Sequence, residues 1–170
     1  MNDDLPPHET TFGIENTPDD PGPDAFVGAF ALLMRGEGPD QYAAIRDGET
    51  IDLIRAPRLE GETYRDSLLR EVAWRLDLDA KRDLVTSGVP RAHLNSRLCG
   101  KGSGEPKWYI CEFYVTRLYG QRWKETLTKR DDLVWLTGGE LMNGGRPGLP
   151  LKADVHDLIR IADLIPPDER

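Results

Sequence analysis

The sequence lacks long hydrophobic runs, carries little positive charge and contains only two cysteines. No run of about 18 apolar residues occurs, so a membrane-spanning helix is not expected. The 30 acidic residues outnumber the 22 lysines and arginines, and this net charge of −8 argues against general nucleic-acid binding, which needs a basic surface. Cys99 and Cys111 form no CxxC pair, so two free thiols in a cytoplasmic protein are favoured over a disulfide.

The N-terminal segment is also poor in large apolar residues. Residues 1–23 are acidic, contain five prolines and lack the basic-then-apolar order of a secretory signal. Such a segment buries too little surface to offset its ordering entropy, so we predict a disordered tail, with docking through Phe12 and Ile14 as the alternative. The remaining length suits one domain at 24–165, followed by a short C-terminal tail at 166–170.

Hydrophobic patterning within the domain predicts a mixed sheet with helices packed on it, an α/β or α+β fold. Strands are expected at 25–35, 41–49, 51–57, 83–89, 107–120 and 133–136, and helices within 61–78 and 153–166. Thr63 is predicted to cap the first helix, with Asp66 three residues later in an approximate capping box. Residues 91–107 are predicted to form a long flexible loop.

The segment from Ala56 to Leu78 resembles the Nudix box of the Nudix hydrolase superfamily. That box is G-x5-E-x7-R-E-U-x-E-E-x-G-U, where U is a bulky aliphatic residue. Five of its nine defined positions agree and four depart; the agreements are Glu62, Arg70, Glu71, Val72 and Leu78, and the departures are Ala56, Trp74, Arg75 and Asp77. The order of the flanking strands and the segment VWLTGGEL are also similar to the family. The resemblance covers roughly residues 24–165 and implies a Nudix fold, a mixed sheet in an α/β/α sandwich.

The resemblance also implies an activity and a cofactor. Nudix enzymes cleave a nucleoside diphosphate linked to another moiety, using Mg²⁺ or Mn²⁺ held by box glutamates. Hard divalent cations take oxygen ligands, and positions 71, 74 and 75 would place three carboxylates on one helical face. Glu62 and Arg70 match positions that shape the loop around the helix in that family.

In this sequence the face that would carry metal ligands holds Glu71, Trp74 and Arg75. One carboxylate binds Mg²⁺ weakly, and Arg75 would place a positive charge where the cation should lie. We expect Arg75 to pair with Glu71 one turn away, which would occupy the remaining ligand. An exposed Trp74 would be a platform for a flat ligand. Carboxylates outside the box that are candidates to help Glu71 hold a metal are Glu60, Asp66, Glu105, Glu112 and Glu140.

A second group of candidate ligand-binding residues is the basic, glycine-containing segment 91–107. Arg91, Arg97 and Lys101 would grip a phosphate if backbone N–H groups and cations met there, although a solvated loop is the favoured interpretation.

Three hypotheses about function follow from these observations. The first is a Nudix-fold module with a degenerate box that binds nucleotide-like ligands or partners without metal-dependent hydrolysis. The second is a divergent hydrolase that holds Mg²⁺ or Mn²⁺ with Glu71 and carboxylates outside the box. The third is a structural subunit that uses a sheet edge or the Trp74 face. A homodimer is plausible because proteins of this fold often pair.

Overall fold

The computed structural model describes residues 5–36, 38–99 and 105–170, so Lys101 lies outside the described residues. Its strands are β1 (His8–Phe12), β2 (Phe26–Met34), β3 (Gln41–Asp47), β4 (Thr50–Asp52), β5 (Arg55–Pro57), β6 (Leu84–Thr86), β7 (Ala92–Cys99), β8 (Pro106–Leu118), β9 (Leu133–Thr137), β10 (Gly145–Arg146) and β11 (Leu149–Pro150). Its helices are α1 (Tyr64–Leu76), α2 (Arg122–Thr128), α3 (Gly138–Met142) and α4 (Ala153–Ala162), with 3-10 turns at Ile14–Asn16 and Pro167–Glu169.

The centre of the sheet is a long parallel pair, β2 with β8. The pairing runs from Phe26 opposite Tyr109 to Met34 opposite Arg117. The strand order in the main sheet is β1-β7-β8-β2-β3-β4, with β5 on β2, β6 on β8 and β9 on β3. All of these other pairings are antiparallel, so the sheet is mixed.

Helices cover both faces of this sheet. Alternate residues of β2 face opposite ways, because successive side chains of a strand point to opposite faces. Ala29, Ala31 and Leu33 pack in one buried cluster with residues of α1 and α2. Phe30, Leu32 and Met34 pack in a second cluster with residues of α3 and α4. The predicted fold class, a mixed sheet between helical layers, is therefore confirmed.

Helix α1 begins where the sequence predicts. The Thr63 hydroxyl accepts a hydrogen bond from the backbone N–H of Asp66 at 3.0 Å. Leu68, Val72 and Leu76 are buried against the sheet. The helix ends at Asp77, whose φ of 55° places it in the left-handed region. The N-cap and the apolar face thus fix both the start and the orientation of the helix.

The structure differs from the sequence predictions at both edges of segment 91–107 and near the N-terminus. Residues 92–99 form β7 rather than a loop, because each of them lies opposite a residue of β8 in an antiparallel register. Residues 8–12 form β1 on β7 rather than a disordered tail. Phe12 and Ile14 stay 50% and 68% exposed, so backbone pairing rather than apolar docking holds this segment. Backbone pairing gives no hydrophobic pattern in the sequence, which is why β1 was not predicted. The third predicted strand, at 51–57, is two strands in the structure, β4 and β5.

The C-terminal segment packs onto the start of α3. The Tyr42 hydroxyl donates to the Glu169 carboxylate at 2.6 Å. Burial, followed by the adjacent Glu169, raises the pKa of Tyr42 to about 12. Gly138 lies directly beneath Glu169 and Ile165. Within the described part of the chain, no helix is both long and apolar enough to cross a bilayer.

An arginine bridge connects the strands of the sheet to α4. Arg55 donates to Asp52 and to Asp154, each at 2.9 Å. Tyr109 also donates to Asp154, at 3.0 Å. The Arg55 guanidinium lies 4.8 Å from the centre of the Phe30 ring. The partly buried charge of Arg55 is therefore paired with one carboxylate on the sheet and one on α4.

Replacing Gly138 with alanine should destabilise the protein. A Cβ there would overlap the Glu169 carbonyl and lie 2.8 Å from Ile165 Cγ2. The clash should cost about 1–3 kcal/mol of unfolding free energy, since overpacking forces neighbours to move. Urea denaturation measures the change. Gly88→Ala is the control, because a Cβ at Gly88 meets nothing within 4 Å. Equal stability of the two variants would contradict this packing.

Stability should fall in acid through the Asp154 bridge. Burial acts to raise the pKa of Asp154, but hydrogen bonds and charge from Arg55 outweigh it, so the net shift is below the ordinary value of 3.8. A carboxyl with a lowered folded pKa contributes stability above its unfolded pKa and loses it as pH falls through the folded pKa. Asp154→Asn should therefore flatten the stability curve below about pH 4, measured by urea denaturation at several pH values. Asp24→Asn, at an exposed carboxyl before β2, should keep the wild-type acid slope.

Candidate functional site

The loop before α1 is held by one carboxylate. Ser67 Oγ donates to Glu62 Oε1 at 2.8 Å, and Arg70 Nη2 donates to the same oxygen at 3.2 Å. Ser67 is fully buried, and its hydroxyl also accepts the backbone N–H of Leu59 at 3.2 Å. The hydrogen bonds from Arg70 and then Ser67 lower the pKa of Glu62. The structure thus brings together the two residues predicted as box scaffold, Glu62 and Arg70, and adds Ser67, which the sequence analysis missed.

Glu71 does not pair with Arg75, so that prediction is wrong. In the part of the chain that the structure describes, the ion-pair partner of Glu71 is Arg70, with Nη1 and Oε2 3.8 Å apart. Glu71 is largely covered, with 18% of its side chain exposed. Arg70 reaches both carboxylates because its guanidinium has several donors in a planar fork. Glu62 and Glu71 therefore share one cation.

Arg75 lies toward a different group of charges. Its backbone carbonyl accepts Arg130 Nη1 at 2.8 Å, which ties the end of α1 to the segment before β9. Its positive charge contributes to the lowered pKa of Asp132, after the hydrogen bond from Arg130. It contributes in the same way to the lowered pKa of Asp47, after Lys152. The charge of Arg75 thus acts on carboxylates of β3 and of the segment before β9, while Arg70 pairs with Glu71.

Trp74 stands out from α1 into solvent. Its side chain is 76% exposed, the largest exposure among the large hydrophobic residues described. Burying an indole is strongly favourable, and an exposed one lacks that stabilisation. An exposed tryptophan beside a charged helix face is therefore a candidate surface for binding a ligand. This face of α1 therefore carries one carboxylate (Glu71), one exposed aromatic ring (Trp74) and one cation (Arg75).

This donor set does not fit a Nudix metal site. Two of the three box ligands are replaced by an aromatic ring and a cation, and Glu71 is engaged by Arg70. Of the candidate helpers, Glu112 accepts Tyr114 and pairs with His93, while Glu140 caps α3 and pairs with Arg146. Within residues 5–36, 38–99 and 105–170, no group of three or more His, Cys, Asp or Glu side chains could hold a metal ion.

The basic residues of segment 91–107 do not gather at α1. Arg91 Nη1 donates to the Leu164 carbonyl at 3.2 Å, near the C-terminal segment. Arg97 lies on β7 and lines a cavity of about 180 Å³ beside β1. As far as the described residues go, neither contacts Glu71 or Trp74. Residues 100–104, which hold Lys101 and the glycines of the segment, lie outside the described residues, so a phosphate-gripping loop stays a prediction.

A buried polar network beneath α1 was also missed. His93 Nδ1 lies 2.9 Å from Glu112 Oε2, and Tyr114 donates to the same carboxylate at 2.7 Å. Burial, and then the hydrogen bond to Glu112, raises the pKa of Tyr114. The Thr17 hydroxyl closes the network on His93 Nε2 at 2.9 Å. These residues meet because β7 pairs with β8, a register that local patterns do not reveal.

Removing the Ser67 hydroxyl should loosen the loop before α1. Ser67→Ala removes the hydroxyl that bonds to the Glu62 carboxylate and to the Leu59 N–H, and a hydrogen bond to a charged group contributes about 1.5–3 kcal/mol. Glu62→Ala removes the other end of the same contact, so the double variant should lose less than the sum of the two singles. Urea denaturation of all four proteins measures this. Strict additivity would count against the coupling of Ser67 to Glu62.

Comparison with known proteins finds solved structures that are similar to this chain. No family model and no curated protein matches the chain. The chain is similar to a Nudix hydrolase from M. smegmatis, RenU, at 19% identity and a TM-score of 0.47, covering 84% of this chain and 90% of that one. It is also similar to Shewanella oneidensis NrtR complexed with a 27mer DNA, at 13% identity and 0.47, covering 81% and 60%, respectively. A third is the E. coli ORF135 protein, at 15% and 0.43, covering 80% and 87%. These likenesses concern the fold alone.

Proposed function

We propose that this protein is a Nudix-fold binding module that holds a nucleotide-like ligand at the Trp74 face, without the family's usual metal-dependent hydrolysis. The observation that carries the proposal is the composition of the α1 face. One carboxylate, Glu71, remains there and is engaged by Arg70 at 3.8 Å, next to a ring that is 76% exposed.

The chemistry of this face favours a flat, anionic ligand. Stacking a base on an exposed aromatic ring contributes about 1–3 kcal/mol. Arg75 is exposed and follows Trp74 in the helix, and a guanidinium suits a phosphate through its fork of donors. A base on Trp74 and a phosphate near Arg75 would need no divalent cation.

A divergent hydrolase is the second candidate, and the geometry around Arg70 favours it. Glu62, Arg70 and Glu71 keep their box positions, and both glutamates pair with Arg70. The 3.8 Å separation of Arg70 and Glu71 is a long ion pair that an approaching cation could displace. Carboxylates outside the box would have to supply the remaining ligands.

A hydrolysis panel separates the two functions. Nucleoside-diphosphate compounds such as ADP-ribose are incubated with wild type and Glu71→Gln, in Mg²⁺ and in Mn²⁺. We expect no turnover by either protein, because the face lacks the oxygen ligands a catalytic cation needs. Metal-dependent turnover that Glu71→Gln abolishes would overturn the binding-module proposal in favour of the hydrolase.

Binding of the same compounds is then measured by calorimetry in EDTA. Trp74→Ala should weaken binding about tenfold, which corresponds to the loss of one stacked base. Tyr119→Ala is the matched control, because Tyr119 is also an exposed aromatic, at 63%, but lies beyond the end of β8. Unchanged affinity in Trp74→Ala would rule out the Trp74 face as the site.

A further inference from the structure

Two β-turns and the edge strand β9 enclose an open trough away from the box residues Glu62 and Arg70. One cavity, of about 900 Å³, lies between the β3–β4 turn and the β10–β11 turn. A second, of about 480 Å³, continues from it along β9. Arg46, Arg146 and Leu149 line both cavities, so the two form one trough.

The trough presents arginine side chains at spaced positions along β9. The Arg46 backbone N–H bonds to the Asp132 carbonyl at 2.7 Å, and the Arg146 guanidinium bonds to the Trp135 carbonyl. Arg46 and Arg146 each line both cavities, so both arginines border the trough.

The arginines of the trough differ in how far the protein itself neutralises their charge. Arg146 pairs with Glu140 at 2.5 Å, whereas the Arg46 side chain has no hydrogen-bond or ion-pair partner within the described ranges. Arg35, at the β9 end of the trough, lies 4.6 Å from the Trp135 ring centre, and its buried Nε has no hydrogen-bond partner among the residues described. This Nε is closed to solvent, so Arg35 contributes its positive charge to the trough but no Nε–H donor to a ligand.

The rest of the lining restricts the kind of anion. Glu49 lines the larger cavity beside Thr50, and its carboxylate would repel a fully anionic ligand but accept hydrogen bonds from hydroxyl groups. Leu149 and Pro147 supply apolar wall. Asp131 lines the smaller cavity beside Arg35, so each cavity combines arginine with one carboxylate, a lining that suits a molecule with a phosphate and a hydroxyl-bearing body.

We propose that this trough is a second binding site, distinct from the Trp74 face, for a small phosphorylated polyol. Arg46 holds the phosphate, with Arg35 and Arg146 flanking it, and Glu49 accepts hydrogen bonds from the hydroxyl groups. The site does not depend on the function proposed for α1.

Calorimetry on the full chain at low salt tests the site with three probes: ribose 5-phosphate, ribose and inorganic phosphate. Ribose 5-phosphate should bind more tightly than phosphate, and ribose should not bind measurably. Arg46→Gln should weaken the binding of ribose 5-phosphate about tenfold, which corresponds to the loss of one charge-assisted hydrogen bond. Arg122→Gln, at an exposed arginine of α2, is the matched control and should retain wild-type affinity.

Two further variants separate the possible outcomes. Glu49→Ala should lower the affinity for ribose 5-phosphate toward the affinity for phosphate, because only the hydroxyl contacts are lost. The affinity for phosphate itself should not fall. Trp74→Ala should change neither of these two affinities. Equal weakening by Arg46→Gln and Arg122→Gln would show general charge attraction and overturn the site. Loss of binding in Trp74→Ala alone would move the ligand to α1 and likewise overturn it.

Discussion

The parallel pairing of β2 with β8 is the constraint on which the rest of the structure depends. Parallel neighbours cannot be joined by a tight turn, so a long connection must leave one strand and return to the other. Here that connection contains β3 to β7 and α1. The nine matched positions from Phe26 to Met34 also fix which side chains face each helical layer. Helix α1 lies where it does because Ala29, Ala31 and Leu33 leave room for Leu68 and Val72.

Elements with a strong local pattern could be predicted from the sequence. Strand β8 is rich in aromatic and β-branched residues, and α1 has a capping threonine and a clear apolar face. Strands β1 and β7 could not be predicted, since β1 is almost wholly exposed and β7 buries polar side chains such as Asn95 and Ser96. Helix α2 was also missed: its N-cap, Gln121, makes no side-chain cap, and Trp123 is buried by tertiary packing. In each case a distant strand or helix supplies the stability that local propensity lacks.

The same distinction applies to the candidate site. Helical spacing alone predicts that residues 71, 74 and 75 share a face, and the exposed Trp74 agrees with it. The partner of Glu71 could not be predicted in this way, because two cations, Arg70 and Arg75, are within reach of it on the same helix. In the structure the partner is Arg70, and helical spacing does not distinguish between the two cations. Charge pairing on a helix surface is worth little, so spacing alone is a weak guide to the partner.

The two arginine-lined surfaces also explain how an acidic chain can attract anions. A net charge of −8 disfavours the approach of any anion, yet solvent and salt screen charges beyond about 10 Å at 0.1 M ionic strength. What an anion meets at closer range is the local arrangement of donors. At the trough, Arg46 shares a hairpin with Glu49 and faces the same cavity as Asp131, while several other surface cations are in ion pairs, as Lys152 is with Asp47. If the trough binds as proposed, local pairing decides which of the arginines are available to the ligand, and the overall charge disfavours long polyanions.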